Sequence, residues 1–171
     1  FGEGNAVYVF DSKGNIKWAT AVGSKLKHSF AILNLNNTNH LVVPAGPYLY
    51  CLNNKGDIEW KKVFNNSFTS QPIIKKIKGG ENPVIFLTAN YPLALDYEGN
   101  VLWERKDIEA RKIAILDLDS NEIYLITGKE KLYNLNAETG TNIWKKEISL
   151  SSYPVIKDQN IFLINNYMRI Y

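Results

Sequence analysis

Every tryptophan of the chain stands four residues after a glycine, and the pair recurs at nearly constant spacing. The pairs are Gly14/Trp18, Gly56/Trp60, Gly99/Trp103 and Gly140/Trp144, with 42, 43 and 41 residues between successive tryptophans. Four segments align around them: VYVFDSKGNIKW (7–18), LYCLNNKGDIEW (49–60), LALDYEGNVLW (93–103) and LYNLNAETGTNIW (132–144). A unit of this length cannot bury its own apolar faces alone. It must stack on copies of itself. Four short strands per unit fit the length, as in the blade of a propeller.

Those strands are readable from the apolar pattern. Labelled A to D from the inside outward, the A strands are FAILNL (30–35), QPIIKKI (71–77), KIAILDL (112–118) and SYPVIK (152–157). The B strands are HLVVP (40–44), NPVIFLT (82–88), NEIYLIT (121–127) and NIFLIN (160–165). The B runs are apolar on consecutive residues, which is expected of sheets covered on both faces. The aligned segments split into C, before the turn, and D, carrying the Trp. In D, Ile16/Trp18, Ile58/Trp60 and Val101/Trp103 alternate, which places each pair on one face of a half-exposed outer strand. In the fourth unit Asn142 takes the Ile position and Ile143 stands one residue on, which leaves that strand's register open.

Between C and D, the runs DSKG, NNKG and DYEG put Asp or Asn at the start of a tight turn and Gly at its end. The short side chain caps the backbone, and Gly accepts positive φ. NAETG carries one more residue, so its loop is longer. No helical periodicity extends over ten residues, and helix content is expected to be near zero. The fold class is therefore all-β: a β-propeller of four-stranded antiparallel blades, about four of them, with residues 1–171 as a single region. The chain opens on C and D of one unit and closes on A, B and a second C. Pairing the first C–D with the last A–B would close four blades but leave the final C strand over. That redundancy, with the abrupt ends at Phe1 and Tyr171, points to a window from a larger ring or to association with another copy.

Composition narrows the function classes. The net charge of +3 demands neither nucleic acid nor an anionic membrane as partner. No run approaches the ~18 apolar residues of a membrane-spanning helix. The one cysteine, Cys51, has no partner within the chain and takes a small-residue position on strand C, where a buried, inert thiol is expected.

The repeat resembles that of the pyrroloquinoline-quinone (PQQ)-like propeller family, roughly Ala-x-Asp-x-x-Thr-Gly-x-x-x-Trp. The fourth unit keeps Thr139, Gly140 and Trp144, with Asn134 and Asn136 at the Ala and Asp places. The third keeps Ala94, Asp96, Gly99 and Trp103, and the first keeps Asp11, Gly14 and Trp18. The second has Cys51 and Asn53 at the Ala and Asp places. The Gly-His and Trp-Asp pairs of WD repeats are absent. The resemblance covers essentially the whole chain and implies that Trp18, Trp60, Trp103 and Trp144 pack flat on the neighbouring blade as fasteners. A buried indole removes ~150–250 Å² from water, an upper limit of roughly 4–6 kcal/mol. Trp60→Ala is accordingly expected to cost roughly 3–5 kcal/mol.

Quinone dehydrogenases share the repeat and, as a family, use vicinal cysteines, Ca²⁺ and a catalytic Asp. A single cysteine excludes the vicinal pair within this sequence. Turn chemistry accounts for Asp11, Asp57 and Asp96 without Ca²⁺. His28 and His40 read as separate surface residues with no third zinc ligand, so no metal, cofactor or catalytic residue is expected. The basic pairs Lys61-Lys62, Arg105-Lys106 and Lys145-Lys146 follow the Trp strands, where Lys guards outer edges against sheet-to-sheet pairing. Tyr48, Tyr91 and Tyr167 align at the start of strand C, with Ala6 and Lys131 at the matching places of the other units. In a propeller this end of C lies on a rim, so Tyr48, Tyr91, Lys131 and Tyr167 are the candidate binding residues, for a peptide or a glycan. Blade packing is the plainer reading of the same tyrosines.

The leading functional expectation is a non-catalytic binding scaffold with other proteins or a glycan as partner. The resemblance includes an outer-membrane-assembly lipoprotein and luminal stress sensors, which implies an extracytoplasmic setting. The alternatives are a fragment of a quinone-dependent dehydrogenase and a self-associating half-propeller forming a homo-oligomer.

Overall fold

The structure, a computed structural model, describes residues 5–110, 112–115, 122–126, 131–148, 155–157 and 160–162. These residues form strands, turns and loops and contain no helix. Three four-stranded antiparallel sheets follow one another along the chain, each ordered as its strands occur in sequence. The first is β3 (Ala31–Leu35), β4 (Thr38–Ala45), β5 (Tyr48–Leu52) and β6 (Ile58–Val63). The second is β7 (Ile73–Lys76), β8 (Pro83–Thr88), β9 (Pro92–Leu95) and β10 (Val101–Glu104). The third is β11 (Lys112–Ile115), β12 (Glu122–Ile126), β13 (Lys131–Asn136) and β14 (Asn142–Glu147). They are flanked by two-stranded sheets, β1–β2 (Ala6–Phe10, Ile16–Ala21) and β15–β16 (Val155–Lys157, Asn160–Phe162). The two short sheets are separate, so the described strands do not close a four-bladed ring by joining first and last.

Successive sheets stack face to face, and the consecutive apolar runs explain how. In β8, Ile85 and Leu87 face the sheet before, while Val84 and Phe86 face the sheet after. In β5, Tyr50 and Leu52 join Val7, Val22 and Val43 in one seam, while Leu49 and Cys51 join Ile85, Leu93 and Leu95 in the next. Alternate side chains of one strand thus serve two cores. Among the described residues the buried side chains form three seams between sheets rather than one central core.

The turns are those that the residue types require. Asp11 Oδ1 accepts from the Lys13 and Asn15 amides, and Gly14 closes the turn at φ +85°. Hydrogen bonds from Asn15 hold the Asp11 carboxyl below its ordinary pKa. Asn53 and Asp96 build the same turn, closed by Gly56 and Gly99. In the fourth unit the Gly140 amide reaches Asn136 O one residue further back, which is the longer loop that the sequence implies. Asn36 and Asn37, both at positive φ, make the two-residue link between β3 and β4.

The outer strands correct one expectation. Ile16 and Trp18 do not share a face. A bulge lies between them: Trp18 pairs with Val9, while Ile16 pairs with Phe10. The same bulge separates Ile58 from Trp60 and Val101 from Trp103. Each aliphatic residue turns away from its Trp, and Ile16, Ile58 and Val101 are exposed. A bulge adds one residue without a partner, and alternation fails there. The fourth unit is no exception. Asn134 pairs with Trp144 and Leu135 with Asn142, so the register left open by sequence is that of the other three.

Candidate functional site

Two features recur at fixed places in the blades: the indole seam and the rim at the opposite end of strand C. In the seam, Trp18, Trp60 and Trp103 each reach the turn of the next sheet. Trp18 Nε1–H donates to Asn54 O at 3.0 Å, Trp60 to Tyr97 O at 3.1 Å, and Trp103 to Ala137 O at 2.8 Å. The ring then lies against the turn glycine. A Cβ on Gly56 would fall 2.7 Å from Trp18 Cδ2, one on Gly99 3.0 Å from Trp60 Cζ3, and one on Gly140 2.7 Å from Trp103 Cδ2. The four-residue spacing of Gly and Trp is therefore no contact within a unit. It sets the Trp of one unit on the Gly of the next. The seat of Trp144 lies outside the described residues.

A second tie accompanies the indole, two residues further along. Thr20 Oγ1 donates to Gly56 O, Lys62 Nζ to Asn100 Oδ1 at 3.0 Å, and Arg105 Nη1 to Gly140 O at 2.6 Å. Arg105 is held for this by Asp107 through two bonds of 2.7 Å. That guanidinium also lowers the Asp107 pKa. Lys62 and Arg105 are thus cross-blade ties, in addition to any edge protection the basic pairs provide. A polar side chain two places after each Trp was the available signal.

At the rim, the β4–β5 and β8–β9 turns meet the loops that lead to the next sheet. Phe64 and Phe68 amides donate to Pro47 O and Gly46 O, and Arg105 and Ala110 amides to Pro92 O and Asn90 O. Tyr48 packs half-buried against the first seam, with Lys61 Nζ 4.3 Å from its ring centre. Tyr91 is buried in the second seam, with Lys106 Nζ 5.8 Å from its ring. Burial and the Glu104 carboxylate raise the Tyr91 pKa. Lys131 is half-buried at the start of β13, and Tyr167 lies outside the described residues. Tyr48 and Tyr91 therefore occupy successive seams at the same rim, each beneath an ammonium group.

His40 departs from the surface reading. It is 7% exposed, with Nδ1 3.1 Å from Thr38 O and Nε2 3.1 Å from a Glu59 oxygen. Glu59 is the bulge residue, and the bulge turns it back over β4 and β5. Cys51 is buried as expected, and burial with the Glu59 carboxylate pushes its thiol up to about 12. At about pH 8 an ordinary thiol is partly thiolate and reacts, whereas one held this far above its usual pKa stays protonated. Native protein is expected to leave Cys51 unmodified by a disulfide reagent while the denatured chain titrates one thiol. Rapid native labelling would contradict the burial. Among the described residues no group of three His, Cys, Asp or Glu is placed to hold a metal ion, and no helix is long and apolar enough to cross a membrane.

Repeated sheets clamped by an indole on the next turn define a propeller of the PQQ-like class. The family model described as outer membrane protein assembly factor BamB matches residues 3–170, and the chain belongs to that family. No curated protein sequence matches the chain. Among solved structures, BamB from Moraxella catarrhalis is similar with a TM-score of 0.66 at 15% identity, over 86% of this chain and 46% of that one. BBS1N, from a crystal structure in complex with ARL6DN, is similar with a TM-score of 0.67 at 10% identity, over 86% and 48%. The chain spans about half the length of these structures, and the likeness establishes the fold.

Proposed function

We propose that the chain is a non-catalytic protein-binding scaffold of an extracytoplasmic assembly, and that the rim bearing Tyr48 and Tyr91 receives the partner. The observation that carries this reading is the recurrence of a tyrosine under an ammonium group at the same rim of two successive blades. Tyrosine joins a rigid apolar face to a polar tip, a combination enriched in protein interfaces. Membership of a family described by membrane-protein assembly supports the same reading and its setting outside the cytosol. So does a neighbour solved with a protein partner.

The test is site-specific photocrosslinking in cells. A photoreactive residue at Lys61, on the rim, is expected to give a discrete protein adduct. The same residue at Lys55, in the turn at the other end of the sheet, is expected to give none. Equal adducts from both sites, or none from the rim, would remove the rim from the reading. Quinone- and Ca²⁺-dependent dye reduction by the protein would replace it with the dehydrogenase alternative.

A further inference from the structure

A pocket of about 280 Å³ opens at this rim between the first and second seams. Its walls come from the loop after β2, the β4–β5 turn and the loop after β6. Lys25, Lys27 and His28 stand around it, and Pro44 and Phe68 form an apolar floor. Phe68 is 4% exposed. No acidic side chain lines the pocket. The two lysines and the histidine make no hydrogen bond or ion pair among the described residues.

The walls are held in place. The Gly23 amide donates to the Tyr50 hydroxyl at 2.8 Å, which fixes the start of the basic loop. Ser24 packs on Gly46 so closely that a Cβ there has no room. Leu26 turns inward onto the first seam, which leaves its neighbours Lys25 and Lys27 turned outward. Gly46 O in turn accepts from the Phe68 amide at 3.0 Å. Two uncompensated lysines on a fixed loop, with His28 beside them, concentrate positive potential over a concave apolar floor.

We infer that this pocket takes a glutamate side chain of a partner protein, its carboxylate against Lys25, Lys27 and His28 and its methylenes on Phe68 and Pro44. The volume lies at the small end for ligand sites, and the lining pairs basic groups with an apolar surface, as an acidic side chain with methylenes requires. A bare inorganic anion would leave the apolar floor unused. The inference rests on the scaffold reading for the source of the occupant, but its lining residues and chemistry are distinct from Tyr48 and Tyr91.

The experiment uses fluorescein-labelled hexaglutamate and the intact chain, read by fluorescence anisotropy. Hexaglutamate is expected to bind, with affinity falling as salt rises, and hexaglutamine is expected not to. The K25E/K27E double variant is expected to bind at least about tenfold more weakly, because like charges then face the ligand. K55E, with one charge reversed at the far end of the sheet, is expected to bind like wild type. A superimposable thermal melt establishes that K25E/K27E is folded; if it is not, Lys25→Gln with Lys27→Gln takes its place. Equal weakening by K55E would reduce the effect to overall charge and overturn the site. Inorganic phosphate displacing the peptide at matched charge would overturn the glutamate assignment. Absence of peptide binding with rim crosslinks intact sinks the pocket alone; absence of the crosslinks with peptide binding intact removes only the tyrosine rim.

Discussion

Trp103→Ala is expected to remove about 3–5 kcal/mol of stability. Three contributions coincide at this side chain. It is 8% exposed, the most buried of the indoles whose seats are described. Its Nε1–H satisfies Ala137 O, a carbonyl that truncation leaves without this donor. Its ring also lies 6.3 Å from Phe86, tilted by 46°. Trp60 makes the same donation from a half-buried position, so Trp60→Ala belongs at the lower end of that range. The damage is expected to stay local, because stacked units are coupled mainly to their neighbours. Hydrogen exchange should show β11–β14 losing protection while β3–β6 keep theirs. A denaturation curve that overlays wild type would end the fastener role of the indole.

The repeat made the fold legible because its signal is covalent spacing. Trp and Gly recur together, and Asp or Asn opens each turn, so periodicity located the C and D strands and the turns between them without any tertiary knowledge. The direction of the indole was legible only through the family resemblance. What failed was the inference from alternation. Ile16 and Trp18 look like neighbours on one face, and a bulge that no residue type announces puts them on two. The bulge also explains His40. An expected surface residue became buried because Glu59, displaced from the regular pleat, covers it.

The rim was legible in part. Aligning the starts of the C strands found Tyr48 and Tyr91, since that alignment follows the repeat. It could not show that Lys61 and Lys106 would sit over those rings, because each lies on a different strand or loop. The basic pocket was not legible at all. KLKHS reads as a plain solvated loop. Its meaning comes from Pro44, at the end of β4, and Phe68, in a loop that repeat analysis sets aside as a connection. Sites assembled from unlike connections are where a repeat stops informing, because only the strands and turns are repeated.

Glycine offers a sharper test of the same clamp, with its control inside the molecule. Gly140→Ala is expected to lose about 2–5 kcal/mol, from left-handed backbone strain and overpacking together. Gly140 sits at φ +69°, and a Cβ there meets Trp103 Cδ2 at 2.7 Å. The indole cannot retreat without giving up its bond to Ala137 O, so the ring and the turn must separate together. Gly14 occupies the equivalent turn at φ +85°, yet a Cβ there meets nothing within 4 Å among the described residues. Gly14→Ala therefore carries only the backbone strain, roughly 1–2 kcal/mol. Gly79, at φ +83° and equally open, should behave like Gly14. The difference between Gly140→Ala and the two open positions isolates the ring contact from the turn conformation. Equal losses at all three, measured by urea denaturation, would mean that the turn glycines serve their own backbone and that the indole rests on them without depending on the missing Cβ.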